Sequence, residues 1–262
     1  MAKTRARSYD PGRTRAAVLA QFRNVRDAAR TLTPEQLALP TRLGTWTVRD
    51  VVAHLGMSLD AVVRLTALPE PAKRTAALVD WPPAIAADAP DIAAHARELA
   101  ERHPDPDALL AAAEERYTAA LAAHPGSRLL ATGAGALSLD DYVVTRTVEL
   151  VVHTDDLNTA TGLGIPYDRQ ALAACTRLLA DALAARTPGG AVELRIPPYA
   201  VVQCVEGPRH TRGTPPNVVE TDPLTWARLA TGRTSWGEAL DQARLTAGGE
   251  RADLSAYLPV LG

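Results

Sequence analysis

The spacing of apolar residues changes period once along this chain, at Thr187-Pro-Gly-Gly190. Before that point apolar residues recur at helical spacing over 11–31, 47–66, 91–103, 106–123, 138–160 and 167–186. After it come short alternating runs at 191–196, 200–206, 217–221 and 243–247. Between the last two runs, 222–230 and 235–240 read as helices, with Asp222 and Ser235 as caps and Pro223 at the first helical position. Strands gathered behind a block of helices predict an α+β chain: a four-helix bundle with extra helices, followed by a small α+β unit. The expected division is 1–187 and 188–262, and a chain of 262 residues is long enough for two cores. Only 4% of the residues are aromatic, so those cores must rely on small and aliphatic side chains.

Two of the helical segments interrupt their apolar pattern with ionisable residues. Around the 138–160 segment, Leu139, Val143, Arg146, Glu149, Leu150, His153 and Leu157 share one broad face, while Val144, Val148 and Val151 lie opposite. Such a helix is apolar nearly all round and belongs inside a bundle. A carboxylate there needs a partner, either a cation or Arg146. Glu149 and His153, four residues apart, lie roughly 40° apart around the axis and about 6 Å apart along it, so both can reach one ion. In the 47–66 segment Thr47 reads as an N-cap, with Asp50 three residues on as a capping-box variant. His54 lies at the margin of that helix's stripe of Val48, Val51, Val52, Leu55 and Leu59, in line with Ser58. The residues by themselves leave two readings open. His54 can be a hydrogen-bonded core histidine and Glu149–His153 an ordinary pair on a helix surface, or all three can be ligands of a metal.

The run Trp46-Thr-Val-Arg-Asp-Val-Val-Ala-His54-Leu is followed about ninety residues later by Arg146-x-x-Glu149-x-x-x-His153-x-x-Asp156-Leu157. Together they resemble the mycothiol-dependent maleylpyruvate isomerase family, a group of DinB-like metal-binding helical bundles. The likeness is good over 41–66 and 138–164 and faint over 67–137. It implies a DinB-like four-helix bundle in which His54, Glu149 and His153 hold a divalent ion, usually zinc, with Arg146 and Asp156 orienting the ligands from behind. The segment from Val219 through Asp222, Trp226, Leu229, Gly232 and Arg233 to Gly248-Gly249 is similar to the small sterol-carrier-protein-like domain often fused behind that bundle.

The resemblance further implies an enzyme that works with mycothiol, the small cysteine-containing cofactor of actinobacteria, on a small-molecule substrate. Three protein ligands leave an open coordination position, and a thiol held there becomes a thiolate. In the isomerase reaction the zinc-bound thiolate adds to the double bond of a maleyl-type acid, the carbon–carbon bond rotates, and loss of the thiolate gives the trans isomer. Transfer of the sulfur to another electrophile would use the same activated group. Arg209, Arg212 and Arg233 are the candidate cations for substrate carboxylates. The alternative is a non-catalytic carrier whose carboxy-terminal domain binds an apolar ligand, with the helical metal site structural or empty.

Other features narrow the class by exclusion. A net charge of -2 lacks the basic surplus of a nucleic-acid-binding protein, and the basic start of Lys3, Arg5, Arg7, Arg13 and Arg15 reads as a solvated end. No secretory leader and no run of eighteen apolar residues is visible, so the expected compartment is the cytoplasm, with no membrane partner. Cys175 and Cys204 have neither metal-ribbon nor redox spacing and read as inert buried thiols. His95, Glu98, Glu101 and Arg102 read as a solvated helix face, and His124 before Pro125-Gly126 as a helix end.

Overall fold

The structure, a computed structural model, describes residues 7–85, 89–207 and 216–261. Four helices make the bundle: α1 (Pro11–Ala29), α3 (Val48–Ala67), α6 (Pro106–Ala123) and α7 (Leu139–Thr161). α2 (Pro34–Leu37), α4 (Trp81–Ile85) and α5 (Ala89–Arg102) lie in the connections, and α8 (Arg169–Arg186) follows α7. Their starts are set by local chemistry. The Thr47–Asp50 capping box forms as the spacing predicts, with the Thr47 N–H donating to Asp50 Oδ2 at 2.8 Å. Asp10, Asp105, Ser138 and Asp168 cap α1, α6, α7 and α8 by accepting orphan backbone N–H groups. α7 ends at Gly162, whose φ of 70° is the left-handed conformation that glycine adopts without steric cost.

α3 packs on α6, α7 and α5, and α1 packs on α7, α8 and α6, so α7 is enclosed. A hairpin of β1 (Leu129–Thr132) and β2 (Gly135–Ser138) leads into α7. Nothing in the sequence pattern points to it, because strands of four residues are too short to display an alternation. The later strands are β3 (Val192–Ile196), β4 (Ala200–Cys204), β5 (Val218–Thr221) and β6 (Leu245–Gly248), in the order β4-β3-β5-β6. β3 runs antiparallel to β4 and parallel to β5, and β5 runs antiparallel to β6. α9 (Pro223–Ala230) and α10 (Trp236–Asp241) connect β5 to β6.

The two halves share one core. A continuous cluster of buried side chains extends from Ala17 in α1 to Val260, where the length alone allows two. α8 is the common wall. One side lies on α7 and α1, the other on β4 and α9, where the Trp226 indole N–H donates to the Thr176 carbonyl at 3.3 Å. Cys175 and Cys204 are buried free thiols. The Glu98–Arg102 pair lies on an exposed face of α5 and His124 at the end of α6, as the sequence suggests. Among the described residues, no helix is long and apolar enough to cross a membrane.

Candidate metal centre

α3 and α7 cross where each carries its out-of-place ionisable side chains. The nitrogen and oxygen donors of His54, Glu149 and His153 all lie within 4.8 Å of one another. Glu149 Oε2 stands between the two imidazoles, 3.0 Å from His54 Nε2 and 3.5 Å from His153 Nε2. The rings meet edge to face at 4.6 Å, and Trp46 caps them, stacked on His153 at 6.4 Å and edge-on to His54 at 5.3 Å. Trp46 opens the motif, but sequence reasoning gave it no role. Its position one residue before the Thr47 cap is what swings the indole over the site.

The donor set fits a divalent cation. One carboxylate and two imidazoles are a known catalytic combination with an open position. His54 Nδ1 is buried without a hydrogen-bond partner, so its ring is held from the Nε2 side alone. Asp156 fixes His153 from behind, with Oδ2 2.9 Å from Nδ1. In the neutral ring that bond keeps the proton on Nδ1 and leaves the Nε2 lone pair facing Glu149 and His54. Burial works to raise the Glu149 pKa, but the bonds to His153 and His54 outweigh it and hold the carboxyl well below its usual range. Burial lowers His54, with His153 adding to the effect. Burial opposes charge on His153 too, yet the Asp156 and Glu149 carboxylates push its pKa up.

Asp156 belongs to a larger ion cluster. Its carboxylate, fully buried, accepts from Arg42 Nε at 2.7 Å and from Arg233 Nη2 at 2.9 Å. Asp155 beside it accepts from Arg42 Nη2, from Arg228 Nη2 at 2.6 Å, and from the Tyr167 hydroxyl at 3.1 Å. Arg228 and Arg233 come from α9 and the turn after it, so the carboxy-terminal part reaches the ligand helix through these two carboxylates. Sequence reasoning missed Arg42, Asp155 and Arg228. Arginine–aspartate pairing across 114 and 73 residues leaves no local signal.

Two expected roles change. Arg146 makes no hydrogen bond to Glu149 or His153: its Nη1 donates to the Ser58 carbonyl at 3.1 Å, and its Nε and Nη2 to Thr145 Oγ1. Arg233, expected at the substrate, is turned onto Asp156. Arg209 and Arg212 lie outside the described residues. A cavity of about 150 Å3 opens beside His54 and Glu149, between α3, α4, α7 and the tip of the β1–β2 hairpin, and Arg146 forms part of its wall.

Comparison with known proteins agrees with this architecture. The family model for the mycothiol maleylpyruvate isomerase N-terminal domain matches residues 18–158, and that for a bacterial SCP ortholog matches 168–260. The crystal structure of the mycothiol-dependent maleylpyruvate isomerase has a similar fold, with a TM-score of 0.60 at 16% identity over 91% of this chain and 93% of that one. A histidine-to-alanine mutant of that enzyme matches with a TM-score of 0.58 over the same shares and at the same identity. No curated protein matches significantly. With more than half of its length under the first of these models, the chain belongs to the mycothiol maleylpyruvate isomerase N-terminal domain family.

Proposed function

We propose that this chain is a metal- and mycothiol-dependent enzyme of the maleylpyruvate isomerase kind, in which His54, Glu149 and His153 hold the ion. The observation that carries the reading is the convergence of three donors, His54 from α3 and, 95 residues or more further on, Glu149 and His153 from α7, on one point covered by Trp46. A divalent cation bound there, with zinc the proposed ion, supplies a positive centre that converts a thiol to its nucleophilic thiolate near neutral pH.

The chain's own residues do the rest. Asp156 holds the His153 tautomer, and Glu149 leaves a divalent centre with a surplus of positive charge. Trp46 keeps water from one side. The cavity beside His54 and Glu149 is the place for the second reactant, where holding it against the sulfur removes translational freedom from the reaction. We propose cis/trans isomerisation or sulfur transfer as the reaction. The carrier alternative is disfavoured by packing, because Leu194, Ile196 and Val219 are fully buried on a sheet against which α8 lies. We also propose two units, divided at 187/188 by the change in sequence period; the SCP match begins before α8, at 168, and α8 serves both sides.

Metal analysis of the purified chain tests the reading. About one divalent ion per chain is expected, with loss in His54→Ala and in His153→Ala. Full retention in both variants refutes the ligand set.

A further inference from the structure

We propose that the cavity beside the ligands is a carboxylate pocket and that Arg146 holds the carboxylate. The placement of the bound molecule against a reaction centre rests on the ligand reading above; the pocket itself rests on separate observations. Arg146 is 3% exposed, and all its hydrogen bonds go to neutral acceptors, Ser58 O and Thr145 Oγ1. Among the described residues no carboxylate lies within ion-pair distance of its guanidinium. That is unusual for a buried cation, which normally has a charged partner. The contrast lies on the same helix: two and three turns further on, Arg42, Arg228 and Arg233 all meet carboxylates of α7. The nearby Glu149 is taken up by the imidazoles.

Aromatic faces hold the guanidinium in place instead, Tyr142 at 4.6 Å and Trp81 at 5.7 Å from its central carbon. They stabilise the charge without covering the edge of the fork. Of its five N–H groups three are used, which leaves two for a planar pair of oxygens. The remaining wall is largely apolar, with Met57, Ala61, Leu65, Ile85 and Ile92, and Arg64 adds a second cation. Two cations, Arg146 and Arg64, stand in that wall against one carboxylate, Glu149, which the imidazoles take up, so the cavity prefers an anion with a hydrocarbon body. Its volume of about 150 Å3 is close to that of a cavity known to hold benzene. The fit is a short-chain carboxylate of about six to eight heavy atoms, too small a space for a nucleotide. Arg146 precedes Glu149 by three residues, about 4.5 Å of helix rise. A carboxylate on Arg146 therefore carries the carbons next to it towards His54 and Glu149, which makes Arg146 the residue that sets specificity in the pocket.

Calorimetric titration of the full chain, metal-loaded and chelator-stripped, with crotonate, crotonamide and inorganic phosphate tests this. Crotonate is expected to bind at least tenfold more tightly than crotonamide, its neutral isostere, and than phosphate, with and without metal. Arg146→Gln should lose that preference while keeping its metal content, and Arg146→Lys should recover part of it. If Arg146→Gln does not fold, the same comparison of probes on the unmodified chain decides. Crotonate binding no tighter than crotonamide overturns the pocket, as does an Arg146→Gln protein that folds and keeps the preference. Phosphate binding as tightly as crotonate overturns the carboxylate assignment. A chain that takes up no metal but binds crotonate through Arg146 removes the ligand reading and upholds the pocket; metal uptake without crotonate preference does the reverse.

Discussion

Replacing Asp156 by asparagine should weaken metal binding without touching a ligand. The side chain is fully buried and joins His153 Nδ1 to two guanidinium groups. Asparagine keeps the shape and one acceptor oxygen but loses the charge that sets the His153 tautomer. Loss of such a partner behind a metal-bound histidine typically costs 10- to 100-fold in affinity, or about 1.4–2.7 kcal/mol. Stability should fall as well. The cluster holds three guanidinium groups against two carboxylates, and the variant leaves three against one. Breaking a buried ion pair from one side costs about 3–5 kcal/mol, and the surviving contacts of Arg42 and Arg228 to Asp155 place the expected loss at the low end, about 3 kcal/mol. Chelator competition measures the first effect and urea unfolding of the metal-free chain the second. The pH dependence has a definite sign. Burial would raise the Asp156 pKa, but His153 and Arg233 depress it below the ordinary carboxylate value. Its stabilisation is therefore present above about pH 4 and disappears as the pH falls through the depressed value. In Asp156→Asn that part of the acid unfolding limb should be missing. A folded variant with zinc affinity within twofold of the original would refute the coupling of Asp156 to the metal.

Two further predictions concern the shared core. Burial pushes the Cys204 thiol up to about 11 and raises Cys175 as well, so at pH 8 about one Cys204 in a thousand is a thiolate. Iodoacetamide should modify neither cysteine in the native chain and both in guanidinium chloride; rapid native labelling of Cys175 would contradict the packing of α8. Leu178→Ala removes a fully buried side chain from α8 and should destabilise the chain by about 2–5 kcal/mol, and the shared core makes the loss a single unfolding transition. Separate transitions for the two halves in calorimetry would show that α8 does not couple them.

What was legible in the sequence was whatever depends on neighbours along the chain. The helical segments, their caps and the four later strands follow from periodicity and capping chemistry, and the Glu149–His153 pair follows from helix geometry. The placement of His54 beside Glu149 was suggested only by resemblance, because a single histidine at the edge of an apolar stripe has no local signature of a partner 95 residues away. Trp81 flanks Arg146 from 65 residues away with no periodicity to join them, whereas Tyr142 lies one helical turn before it. With 28 basic and 30 acidic residues in the chain, the pairing of Asp155 and Asp156 with Arg42, Arg228 and Arg233 could not be chosen from among so many combinations.

The charges on α7 show why a cation expected at the substrate ends up behind a ligand. Its last three turns carry two adjacent carboxylates and no arginine or lysine, and the guanidinium groups of Arg42, Arg228 and Arg233 converge on them. Its middle carries Arg146, whose hydrogen bonds are all to neutral groups and which faces the cavity. Had Arg233 pointed into the cavity, Asp156 would have lost a contact that helps to depress its pKa, and the carboxylate behind His153 would have had one anchor fewer. On the proposed reading the carboxy-terminal part acts on the site by fixing His153 through Asp156, while the bundle supplies Arg146 as the cation for an anionic substrate. The two effects are separable: an Arg233 substitution should alter metal affinity and leave the preference for crotonate over crotonamide intact, and an Arg146 substitution should do the opposite.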